Sequence, residues 1–91
     1  MTKKEEVAKI IESRHKGDLL LALNNDKQVV EILREDPQLT EELIAAEMQR
    51  RGYSLEPAEG ELFIGDYEYR MKIIQSEIAT LRKQVAEKLK Q

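Results

Sequence analysis

The chain has 91 residues, 36% of them charged, a formal net charge of −3 and no cysteine. A chain this short forms one small core, and the missing thiols exclude disulfides and thiolate metal sites. A single histidine would need three or more carboxylates beside it to hold zinc, which leaves self-association as the remaining source of added stability.

At the N-terminus, Thr2-Lys3-Lys4-Glu5 has the form of a capping box, a hydroxyl at N-cap with glutamate three residues on. Val7, Ile10 and Ile11 follow at helical spacing. The pattern predicts a first helix from about Thr2 to Lys16, with Glu5–Lys9 and Glu12–Lys16 as i,i+4 ion pairs on its outer side. Gly17 ends it, because glycine takes the left-handed cap conformation without penalty. No apolar run follows the N-terminus that could serve as a signal peptide, and Leu19 to Leu23 is too short to span a bilayer. The expectation is a cytoplasmic protein with no membrane partner.

Asp18 caps a segment carrying Leu19, Leu20, Leu21 and Leu23. Asn24-Asn25-Asp26 reads as a turn, since these side chains compete for backbone hydrogen bonds. Asp26 would then cap a further helix with Val29, Val30, Ile32 and Leu33; one bent helix from Asp18 to Glu35 fits the pattern equally well. Asp36-Pro37 is a break, and proline suits the first helical position. The helix that follows has Leu39, Leu43, Ile44 and Met48 on its inner face. Glu41 and Glu42 near its start and Arg50 and Arg51 at its end complement its dipole, and Gly52 closes it.

From Tyr53 to Ile64 two short strand-like runs flank Glu56-Pro57-Ala58-Glu59-Gly60, which fits a small hairpin or a plain loop. Gly65-Asp66 opens a last helix running to the C-terminus. Its apolar positions Tyr67, Met71, Ile74, Ile78, Leu81 and Val85 step by four and three residues, as in a heptad seam. β-Branched Ile78 and Val85 at a, with Leu81 at d, favour a parallel pair in which Glu77 of one helix meets Arg82 of the other. The register fails at the end, where Lys88 takes the d position and Leu89 lies one residue off. The same stripe would also serve to pack the helix on its own domain. The expected fold is therefore mainly α. A small N-terminal helical bundle (1–52) precedes a short β-hairpin or loop (53–65) and a long C-terminal coiled-coil helix (66–91).

No catalytic constellation emerges. His15 has Ser13 only two residues away, and two helical residues that close do not face each other. The four glycines are isolated, each at a break, so no phosphate-binding loop is present. No enzymatic activity, metal or cofactor is expected. Nucleic-acid binding has one echo, a winged helix-turn-helix around Asp36-Pro37, but a recognition helix there would offer Glu41 and Glu42 to phosphates. Candidate phosphate contacts for this alternative, a small DNA-binding regulator, are Arg50, Arg51, Lys83, Lys88 and Lys90.

Protein binding fits better. Residues 17–62 carry four basic and eleven acidic groups, whereas both ends are mildly basic. The aromatics Tyr53, Phe63, Tyr67 and Tyr69 fall in one stretch, as on many recognition surfaces. The expectation is a small non-enzymatic regulator or adaptor of the kind phages carry. It would be a homodimer through Tyr67, Met71, Ile74, Ile78, Leu81 and Val85, with Glu41, Glu42, Tyr53, Phe63 and Tyr69 meeting another protein. An acidic inhibitor of a nucleic-acid-binding protein would have this form.

Overall fold

The computed structural model describes residues 2–53 and 64–90 and is helical throughout, with no strand among them. The hairpin or loop expected over 53–65, with Leu55, Leu62 and Phe63, lies almost wholly outside the described residues.

Helix α1 (Lys3–His15) starts where expected: the Thr2 hydroxyl accepts the Glu5 amide at 3.2 Å. Its end differs in detail. Lys16 itself turns left-handed at φ 55°, ahead of Gly17 at φ 79°, and both amides bond to the Ile11 carbonyl. The i,i+4 pairs Glu5–Lys9 and Glu12–Lys16 do not form. For the second of these the turn at Lys16 supplies the reason, because its side chain leaves the helical direction.

Asp18 caps α2 (Leu19–Asn25) through the Leu21 amide, and Asp26 caps α3 (Lys27–Glu35) through Gln28. The segment is thus two helices and not one bent one. Asp26 closes α2, with its amide bonded to the Ala22 carbonyl at 2.8 Å, and opens α3 with its carboxylate. Asp36 caps α4 (Pro37–Arg50), with Pro37 in the first turn, where its missing N–H costs nothing. At the far end Gly52, at φ 94°, bonds to Gln49 and Tyr53 bonds to Met48. This is a Schellman closure that brings half-buried Tyr53 against the core.

Helix α5 (Ile64–Lys90) is 27 residues long and includes Gly65 within its first turn. It packs on α2, α3 and α4, while α1 packs on α2 and α3. Val7, Leu19, Ala22, Val29, Leu33, Leu39, Ile44 and Met48 share one core with Ile74, Leu81 and Val85. Three residues of the heptad seam are therefore enclosed by their own chain. Met71, Ile78 and Leu89 pack at the margin of that core. Leu89 explains the apparent register failure: a straight helix repeats at 3.6 residues, so the step of four from Val85 keeps it on the inner side. Arg82, expected to reach a partner's Glu77, is instead bonded to Glu41 of its own chain at 3.0–3.2 Å. Arg34 holds the end of α5 through the Leu89 carbonyl.

Candidate functional site

Helices α1 and α4 both line one cleft, with one polar tie to α1 and a second to the turn that follows it. Lys4 stands 3.9 Å from Glu42 at one end. At the other, Arg50 lies against Gly17, where an added Cβ would stand 3.4 Å from its side chain, and reaches Asp18 at 4.0 Å. Between the ties lies a cleft of about 380 Å³. Buried Ile11, Leu19 and Leu43 form its floor, and exposed Ala8 and Ala46 form low lips on the two helices. Glu12 and Lys16 stand along the α1 side, with Glu47 and Arg50 at the far end.

Glu47 is the residue that sequence reasoning overlooked. It is only 3% exposed, yet it is a carboxylate. Its acceptors are met by two side chains from the next turn. Arg50 donates to both oxygens, at 2.6 and 2.9 Å, and Arg51 donates at 3.2 Å. The Leu19 amide points to the same carboxylate at a longer 3.5 Å. A buried charge is tolerated only when paired and bonded in this way. The bond to Glu47 in turn raises the Arg50 pKa above the usual arginine range, with Asp18 adding to it. A signal was present in the sequence: position 47 lies four after Leu43 and three after Ile44, on the inner stripe, with arginines three and four residues further on.

His15 lies away from the cleft. Its Nε2 is 3.1 Å from the Asp26 carboxylate, with Arg14 3.7 Å from the same oxygen. The contact fastens the end of α1 to the α2–α3 junction. It holds the Asp26 carboxyl below the usual carboxylate range, chiefly through the His15 bond, against a smaller opposing effect of burial.

The expected partner-binding residues that the structure describes fall at the two ends of α4 and on α5. Glu41 and Glu42 sit near the start of α4, paired with Arg82 and Lys4. Tyr53 belongs to the closure of α4, Phe63 lies outside the described residues, and Tyr69 stands on α5 at 69% exposure. Of the expected dimer residues, Ile74, Leu81 and Val85 are buried in the chain itself, while Tyr67, Met71 and Ile78 are half-buried. Among the candidate phosphate contacts, Arg50 and Arg51 are bonded to Glu47, and Lys83, Lys88 and Lys90 lie along the second half of α5. No group of three or more potential metal ligands occurs among the described residues, nor does a helix long and apolar enough to cross a membrane.

No protein-family model matches the chain, no curated protein matches its sequence, and no solved structure matches its fold.

Proposed function

We propose that this protein is a small non-enzymatic regulator or adaptor that binds another protein through the cleft between α1 and α4. The observation that carries the reading is the make-up of that cleft, an apolar floor between two alanine lips. Such a groove accepts the apolar side chains of a partner and lets its backbone approach closely. Its buried carboxylate, Glu47, is bonded to Arg50 and Arg51, an arrangement that fixes the shape of the cleft at that end. The acidic stretch from 17 to 62 favours a partner with a basic surface around the docking point.

The test is affinity capture from a lysate of the source organism, with and without nuclease, using the natural chain and Ala46→Arg. Ala46 is exposed, so the arginine obstructs the cleft without entering the core. A protein held by the natural chain after nuclease and lost by the variant supports the reading. Equal recovery by both chains rejects the cleft. Recovery of nucleic acid, with proteins lost after nuclease, rejects the reading in favour of a DNA-binding regulator.

A further inference from the structure

We infer that two copies of this chain pair in parallel through the outward side of α5, between Tyr69 and Thr80. The pairing leaves the α1–α4 cleft open and does not rest on its docking role. The first part of α5 is lightly covered: from Gly65 to Ile73, about two and a half turns, no residue is buried. A stretch of helix that short has little stability of its own in water. On it Tyr69 is 69% exposed and Ile73 is 43% exposed. Ser76 and Thr80, also exposed, continue their row. The steps of four, three and four residues are those of a second heptad seam, on the side turned away from buried Ile74 and Leu81. The Thr80 hydroxyl already donates to the Ser76 carbonyl at 3.0 Å, so it can be covered without losing its partner.

Charge selects both the occupant and its direction. With Tyr69 at d and Ile73 at a, Lys72 takes g and Glu77 takes e. Neither has an ion pair or hydrogen bond among the described residues. In a parallel pair a g residue meets the e residue five positions on in the other helix. Lys72 of each copy therefore meets Glu77 of the other, and the two-fold symmetry makes the contact twice. An antiparallel pair that kept Tyr69 against Ile73 would set Lys72 against its own copy, which like charge opposes. β-Branched Ile73 at a also suits two parallel strands. The next seam positions on either side are Asp66 and Lys83, whose charges would each face their own copy and so confine the seam to four layers. The association is therefore reversible, and Ile74, Leu81 and Val85 stay in their own core.

Sedimentation equilibrium over a concentration series tests it. The natural chain should move from monomer toward twice that mass as its concentration rises into the millimolar range. Ile73→Asp should remain monomeric, with its helices intact by circular dichroism because position 73 lies outside the core. Lys72→Glu and Glu77→Lys should each weaken association by about tenfold, since each replaces two attractive contacts by two repulsive ones. Both changes in one chain should restore it. Direction is read by cross-linking, because the natural chain has no cysteine. Under mild oxidation Ile73→Cys should link to its own copy, and Gln75→Cys, off the seam, should not. A natural chain that stays monomeric at millimolar concentration overturns the inference. So does a dimer that Ile73→Asp leaves intact, a charge exchange that restores nothing, or equal cross-linking at 73 and 75.

Discussion

The four short helices and the long one are held by different physics. Helices α1 to α4 have 13, 7, 9 and 14 residues. Isolated helices of such length are marginal in water. Each begins at a side chain that caps it: Thr2, Asp18, Asp26 or Asp36. Helix α5 has 27 residues and is placed by burying one side against α2, α3 and α4. Where helices are short, local side chain-to-backbone bonds decide where each begins. Where the helix is long, tertiary burial decides which way it faces.

The sharpest way to break that contrast is to remove burial from α5. Leu81 is 1% exposed, so Leu81→Ala should cost about 2–5 kcal/mol in urea denaturation at every protein concentration, whereas a seam between copies would make the loss depend on concentration. Substituting Asp at Ile78 and Leu81 together should unfold the chain and not merely yield a folded monomer. Next is the buried carboxylate. Glu47→Gln keeps the volume but turns an acceptor into a donor before two guanidinium groups, and should cost about 2 kcal/mol by the same measurement.

The caps come third. Asp26→Ala removes the start of α3 and the partner of His15, and should cost about 1–2 kcal/mol. Asp26 also has a pH signature. Its carboxyl is held low in the folded state, so its contribution is present above the ordinary carboxylate pKa and is lost as pH falls through the folded value. Asp26→Asn should flatten the acid side of a stability-against-pH curve. Smaller still, Lys16→Gly relieves a left-handed residue at the end of α1 and should stabilise by up to about 1 kcal/mol. Last is the exposed Glu41–Arg82 pair. Both partners are half in solvent, so Glu41→Gln should move stability by about 0.5 kcal/mol or less.

Helix starts were legible because their signals are local. Thr2, Asp18 and Asp36-Pro37 each act on a backbone amide within three residues, and each is found capping a helix. The inner face of α4 was legible for a similar reason: Leu39, Leu43, Ile44 and Met48 repeat at the helical period, and all four are buried. The candidate site was much less so. Ile11, Leu19 and Leu43 read as core residues of three separate helices, and only packing makes them the floor of one cleft. Glu47 was hidden by its charge, because its burial depends on Arg50 and Arg51 folding back one turn.

By itself, then, the sequence determined a mainly helical chain and the starting points of α1, α2 and α4, since caps, proline and apolar period act over a few neighbouring residues. It also set where polar side chains could bond to nearby backbone. Tertiary structure alone decided that Asp18 to Glu35 is two helices joined at Asp26, where the carboxylate meets His15 from α1. It alone decided that the stripe of α5 faces its own bundle, that Arg82 meets Glu41, and that α1 and α4 leave a cleft between them. An apolar stripe states only that it must be covered; the cover comes from helices far along the chain, and no local pattern encodes which they are.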